Sequence, residues 1–142
     1  MYADSSFLVS IYKLDANTDA ATELAGSLPE PLVYTALHRL EVSNAFELSV
    51  FRGHNTRAQA QTSLRNLKAD IRARVLLPMR INWRVVFRRA AQIAFSETAV
   101  LGTRSFDILH VACAEKMGAQ EFITFDRRQR LLAAKLGMQV LP

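Results

Sequence analysis

Residues 122–141, with the sequence FITFDRRQRLLAAKLGMQVL, carry the strongest indication of the fold. Residues 122–124 form a short apolar run typical of a strand, and residues 139–141 form another. Between them, residues 127–136 have a helical pattern, and Gly137 follows as a helix-ending residue. A strand, a helix and a second strand in succession are typical of parallel strands joined by a crossover helix. The stretch therefore predicts a parallel sheet covered by helices.

The rest of the chain continues this alternation. Further strands are predicted at residues 1–3, 32–35 and 75–77, and further helices at residues 5–13, 17–28, 36–52, 56–72, 83–95 and 105–117. Together they predict an α/β fold, in one domain of residues 1–142, with a central parallel sheet of about four or five short strands and helices on both faces. Ligands of such sheets bind beyond the carboxyl ends of the strands.

Composition narrows the class of protein. The chain has 142 residues, half of them apolar, which suits one domain with its own core. There is no low-complexity tract, no signal-peptide pattern, and no apolar run of the roughly 20 residues that a membrane span needs. The single cysteine, Cys113, excludes a disulfide within the chain. We therefore expect a cytoplasmic protein that does not contact a membrane.

The charge balance favours a polyanionic partner. Lysine and arginine total 18 against 13 aspartates and glutamates, which gives a net charge of +5, and arginine greatly outnumbers lysine. Arginine suits two-pronged phosphate contacts. RNA is therefore a candidate ligand, although many basic proteins bind no nucleic acid.

Four carboxylates fall where the predicted fold has its strand ends and helix starts: Asp4, Glu41, Asp107 and Asp126. Each has a structural explanation as well. Asp4 and Asp126 follow strands and suit helix caps, and Asp107 in a first helical turn gains from the helix dipole. Glu41 falls on an otherwise apolar stripe with Leu37, Ala45 and Leu48, where an unpaired charge would be unfavourable.

Their combination points to metal chemistry. Two acids at strand ends and two on inward helix faces would meet at the crevice of a parallel sheet, where they would repel one another. Divalent cations relieve such repulsion, and oxygen ligands suit Mg²⁺ or Mn²⁺. Two such ions about 4 Å apart hold a phosphodiester and activate a water. The sequence therefore predicts metal-dependent cleavage of a phosphodiester.

Four segments in order resemble the motifs of PIN domains, and in particular of VapC-type toxins. Residues 2–6, YADSS, resemble the opening D-x-S motif, and residues 37–41, LHRLE, resemble the segment with the acidic helix residue. Residues 104–112, RSFDILHVA, and residues 122–126, FITFD, resemble the third acidic motif and the closing T-x-D motif. The resemblance extends over the whole chain.

The resemblance implies a fold, a reaction and partners. The fold is a three-layer α/β/α sandwich, usually a homodimer, and the reaction is endonucleolytic cleavage of RNA. Asp4 and Asp107 would bind the metal directly, and Glu41 and Asp126 would complete the acidic pocket. Two further residues, Ser6 and Thr124, would donate hydrogen bonds to the carboxylates. The usual partner is a small antitoxin protein.

Arginines close to the acids in sequence are candidate RNA contacts. They are Arg104, Arg127 and Arg128, with Arg130 close behind. A second set, Arg80, Arg84 and Arg88, has helical spacing, and we interpret it as a solvated face.

Two other classes of protein fit part of the pattern. A phosphoryl-accepting receiver domain also has acids at the carboxyl edge of a parallel sheet, but it needs a lysine near the last strands. Here that region has only Lys116 and Lys135, both in predicted helices. The other alternative is a PIN-like module that binds RNA or docks an antitoxin without catalysis.

Overall fold

A computed structural model describes residues 1–142, with five short strands and seven helices. The strands are β1 (Tyr2–Ala3), β2 (Leu32–Tyr34), β3 (Leu76–Pro78), β4 (Glu121–Ile123) and β5 (Gln139–Leu141). The helices are α1 (Ser5–Tyr12), α2 (Thr18–Ser27), α3 (Ala36–Phe51), α4 (Arg57–Arg72), α5 (Trp83–Leu101), α6 (Ser105–Lys116) and α7 (Arg127–Lys135). Each predicted element is present, in the predicted order.

Helix α5 is the element whose predicted length was wrong. It continues to Leu101 instead of ending at residue 95. It ends because Gly102 takes a left-handed conformation, with φ 62°, and its N–H donates to the carbonyl of Thr98. At 19 residues α5 is the longest helix, and neither it nor any other helix combines the length and apolar character needed to cross a membrane.

Side-chain caps explain why two helices begin where they do. Thr35 ends β2 one residue earlier than predicted because its hydroxyl accepts the N–H of His38, and His38 Nδ1 accepts the N–H of Thr35 at 3.0 Å. Thr56 and Gln59 form the same reciprocal pair at the start of α4. Such pairs satisfy backbone donors that the helix itself leaves open.

All five strands are parallel, as predicted, but they form two sheets. One has three strands in the order β1-β4-β5, and the other consists of β2 and β3. The four or five short parallel strands of the prediction are thus divided between a sheet of three strands and a sheet of two. β4 lies between its neighbours, and β1 is an edge of the three-stranded sheet. Strands of two or three residues form few hydrogen bonds with their neighbours, so the sequence does not indicate which strands pair in one sheet.

Backbone contacts divide the chain into two units. The first contains residues 1–4 and 80–142, with β1, β4, β5 and helices α5 to α7. Tyr2 and Phe122, fully buried partners in the β1–β4 ladder, stack at 5.7 Å, and the Tyr2 hydroxyl lies 2.9 Å from Nδ1 of His110. Ion pairs join α5 to its neighbours, from Arg89 to Glu115 of α6 and from Glu97 to Lys135 of α7.

The second unit contains residues 5–79, with β2, β3 and helices α1 to α4. Ser63 of α4 donates to the carbonyl of Tyr12 at 2.7 Å, and the Tyr12 hydroxyl donates to Asp70 at 2.7 Å. Burial and the Asp70 carboxylate both raise the pKa of Tyr12, so its hydroxyl stays a donor at neutral pH. These contacts fix α1 against α4.

Arg74, in the turn between α4 and β3, is the one non-glycine residue with positive φ, at 61°. A side chain in this region is strained by about 1–2 kcal/mol. We expect Arg74→Gly to stabilise the protein by about 0.5–1 kcal/mol, since glycine's extra freedom in the unfolded chain offsets part of the gain. In a thermal melt this is a rise in Tm of about 2–4 °C. Arg65→Gly, at an exposed position in the interior of α4, is the control and should lower Tm.

Candidate active site

Two neighbouring strands bring Asp4 and Thr124 together. In the β1–β4 ladder Ala3 pairs with Ile123, and the N–H of Asp4 continues the ladder by donating to the carbonyl of Ile123 at 3.0 Å. Asp4 therefore directly follows β1 and Thr124 directly follows β4, so both lie at the carboxyl ends of parallel strands. The Thr124 hydroxyl donates to Asp4 Oδ2 at 2.8 Å, and both side chains are fully buried.

Asp126 is the N-cap of α7. Its Oδ1 accepts the N–H groups of Arg128 at 2.8 Å and Gln129 at 3.0 Å, which confirms the predicted capping role of its side chain. Its own N–H donates to Oγ1 of Thr124 at 3.0 Å. The side chain of Gln129 does not return this cap, as a capping box would require, because it donates to Asp107 instead.

Asp107 lies in the first turn of α6 and is 9% exposed. Its Oδ2 accepts the N–H of Arg104 at 2.9 Å, and the Arg104 guanidinium Nε lies 3.8 Å from the same oxygen. Its Oδ1 accepts from the side-chain amide of Gln129 at 3.4 Å. Arg104 is the N-cap residue of this helix.

One chain of hydrogen bonds connects three of the four predicted acids. It runs from Asp4 through Thr124 to Asp126, and on through Gln129 to Asp107. We call these five residues the acidic network, and all of them belong to the first unit. Two helix N-termini, those of α6 and α7, contribute to it, and their partial positive charge favours carboxylates there.

Glu41, the fourth acid, belongs to α3 in the second unit. Its Oε2 accepts from the hydroxyl of Ser5 at 2.7 Å, and Ser5 directly follows Asp4 in the chain. The stripe predicted for this helix was misplaced, since Ala45 is only half-buried. The buried face of α3 consists of Leu37, His38, Val42, Phe46 and Ser49. Glu41 is itself half-buried, so its charge is less isolated than an inward position would make it.

Two predicted hydrogen-bond donors have different surroundings. Thr124 is buried in the acidic network, whereas Ser6 is exposed on α1. Ser5 is buried and donates to Glu41. Sequence reasoning missed Ser5 and Gln129, because nothing in the spacing of the acids tells which neighbouring polar side chain reaches them.

The arginines divide into exposed and structural residues. Arg104, Arg127 and Arg128 are exposed. The last two border an open pocket of about 420 Å³, lined by Leu101, Asp126, Arg127, Arg128 and Leu131. Arg130 instead donates to the carbonyls of Thr124 and Leu141, so it fastens the end of β4 to the end of β5. Arg80, Arg84 and Arg88 are all exposed, as a solvated face would be.

The donors at the acidic network suit a hard divalent cation. No three histidine, cysteine, aspartate or glutamate side chains stand close enough together to hold a metal ion. Carboxylates close enough to share one metal ion repel one another unless the cation lies between them. The chemistry nevertheless fits, because Asp4 and Asp107 are buried carboxylates and the buried Oε1 of Gln129 has no hydrogen-bond partner.

Comparison with known families identifies the class of protein. A model of the PIN domain matches residues 1–135, and the chain therefore belongs to the PIN-domain family. PIN domains are generally nucleases and commonly depend on divalent metals. The match and the parallel strands confirm the predicted fold class. A search among curated proteins gave no match.

Thr124 offers a direct test of the acidic network. In Thr124→Val the shape is nearly kept, but the donor to Asp4 and the acceptor of the Asp126 N–H are lost. Leaving such buried groups unsatisfied costs about 1–3 kcal/mol. We expect that loss of unfolding free energy in urea melts, and Thr124→Ser, which keeps the hydroxyl, should recover most of it. Equal stability of all three proteins would mean that this hydroxyl does not organise the network.

Proposed function

We propose that this PIN-domain protein is a divalent-metal-dependent endoribonuclease that hydrolyses RNA phosphodiester bonds. The observation that carries the proposal is the acidic network, which ties Asp4, Asp107 and Asp126 together beyond the carboxyl ends of β1 and β4. Its residue types suit metal-assisted hydrolysis, and it occurs in a chain of a nuclease family.

The acids would have different roles in binding the metal. Asp4 and Asp107, the two buried carboxylates, would bind Mg²⁺ or Mn²⁺ directly, while Asp126 would complete the pocket and orient water. For Glu41 we keep the metal-binding role that the sequence motifs imply. When bound, the ion supplies positive charge to the phosphodiester and makes a water nucleophilic enough to attack phosphorus. Thr124 would hold the Asp4 carboxylate in one orientation through its 2.8 Å hydrogen bond.

Exposed arginines support an RNA substrate. Arg127 and Arg128 lie on the pocket that Asp126 also lines, and Arg104 pairs with Asp107, so all three are near acids of the network. If metal neutralises the four acids, the remaining surface is more positive than the net charge of +5. We infer that these arginines contact phosphates of the RNA, whose binding should then weaken as salt concentration rises.

We extend the proposal to the biological setting implied by the sequence motifs: a VapC-type toxin in a cytoplasmic toxin–antitoxin pair, acting as a homodimer of single-domain chains. One feature supports a protein partner. Helix α5 exposes two large aromatic side chains, Phe87 at 58% and Phe95 at 95%, which a second copy or an antitoxin would cover. Sedimentation of the purified protein tests the dimer.

Incubation of the purified protein with total RNA tests the activity. We expect cleavage with Mg²⁺ or Mn²⁺ and none when EDTA removes the metal. A complex with RNA that forms without any cleavage, across both metals and a range of unpaired RNA substrates, would instead favour the non-catalytic RNA-binding module. Labelling by acetyl phosphate would indicate a receiver domain.

A further inference from the structure

Gln129 lies between two acids of the acidic network, and the proposed function gives its side chain no role in the reaction. It occupies the first turn of α7 and is 6% exposed. Its backbone N–H donates to Asp126, and its side-chain Nε2 donates to Asp107 at 3.4 Å. A long polar side chain is rarely buried to this extent without a polar partner at both ends.

The second end of this side chain has no partner. Oε1 of Gln129 is buried and accepts no hydrogen bond. Rotating the amide by half a turn would not help, because Oε1 would then face the carboxylate oxygen of Asp107 and both are acceptors. A buried amide oxygen without a donor is unfavourable, so a donor from outside the protein chain is expected there.

We propose that Gln129 is a positioning residue of the metal site. Its Nε2 orients the Asp107 carboxylate, and its Oε1 accepts a hydrogen bond from a water in the hydration shell of the divalent cation. This inference rests on the proposed function. Mg²⁺ usually keeps several of its waters when it binds to protein carboxylates, and those waters need acceptors around them. Groups that hold ligands and metal-bound waters contribute strongly to affinity.

The proposal predicts that replacing Gln129 weakens metal binding strongly but changes the stability of the metal-free protein little. In Gln129→Met the side chain keeps its length but loses the buried oxygen and the donor to Asp107. We expect Mn²⁺ affinity to fall by about 10-fold or more, as is typical when such a hydrogen-bond partner is removed. The Tm of the metal-free protein should fall only by the loss of the long, weak 3.4 Å hydrogen bond to Asp107, because the oxygen that is lost had no donor.

Mn²⁺ affinity is measured by the electron paramagnetic resonance signal of the free ion, and the Tm by melting in EDTA. The matched control is Gln61→Met, at an exposed glutamine in α4, which should leave the affinity unchanged. Gln129→Glu is a second variant that keeps an oxygen acceptor and adds a charge beside Asp107. It should melt at a lower temperature without metal and gain more from Mn²⁺ than the wild type does.

Two results would overturn the proposal. If Gln129→Met binds Mn²⁺ as tightly as the wild type and melts at a clearly lower temperature, Oε1 is satisfied by a structural water unrelated to metal. If Gln129→Glu gains no more from Mn²⁺ than the wild type, its oxygen does not face the ion. Failure of the wild type itself to bind Mn²⁺ would reject the proposed function along with this inference.

Discussion

Asp107→Asn is expected to reduce RNA cleavage by at least about a hundredfold while the protein stays folded. The lower bound follows from residues that merely support metal ligands, whose loss typically costs 10- to 100-fold. Asparagine has nearly the same shape as aspartate and keeps one oxygen acceptor for the N–H of Arg104. What it loses is the negative charge that would attract the cation. The measurement is the initial rate of cleavage at saturating Mn²⁺, with circular dichroism as the check of folding.

The control for this experiment is Asp19→Asn, the same chemical change at an exposed position in the first turn of α2. It should cleave RNA at the wild-type rate. Asp4→Asn should behave like Asp107→Asn, because both carboxylates are buried in the acidic network. Full activity of either network variant would show that its carboxylate is a structural cap and not a metal ligand.

Phe122→Ala is expected to produce the largest loss of stability of any single substitution considered for this chain. Phe122 is fully buried in β4 and stacks on Tyr2 of β1. Truncation of such a side chain costs about 3–5 kcal/mol, a large share of the roughly 5–15 kcal/mol that holds a typical domain together. Urea denaturation followed by circular dichroism measures the change.

Phe95→Ala is the matched control, because Phe95 is 95% exposed on α5. Its effect on monomer stability should lie within about 0.5 kcal/mol. A loss below about 1 kcal/mol for Phe122→Ala would mean that the core around β4 collapses to fill the space, and that the strands carrying Asp4 and Thr124 are held mainly from elsewhere.

The order of the elements was predictable because helix and strand periods differ strongly. The capping residue Thr56 and the glycine after α5 also agree with local rules. What the sequence did not predict was the grouping of the strands, since β1 has only two residues and its partners lie far away in the chain. The end of α5 was misjudged because residues 96–101 combine polar and apolar side chains without a helix breaker before Gly102.

The acids of the candidate site were predictable from strand ends and helix starts. This placed Asp4, Asp107 and Asp126, which the structure connects through hydrogen bonds. The connecting residue Gln129 was not found, because only the packing of α6 against α7 directs its amide to Asp107. The metal-binding role of the acids, and that of Glu41, remains a prediction.

Asp126 serves α7 as its cap whether or not the protein cleaves anything. If Asp126 also serves the proposed metal site, the need for a cap would remain after selection for catalysis had been relaxed. Loss of the cap costs about 0.5–2 kcal/mol, whereas asparagine or serine caps a helix about as well as aspartate does. A related protein that had lost hydrolytic activity would therefore tend to carry asparagine or serine at this position. Such a substitution would keep the helix cap and indicate the loss of activity.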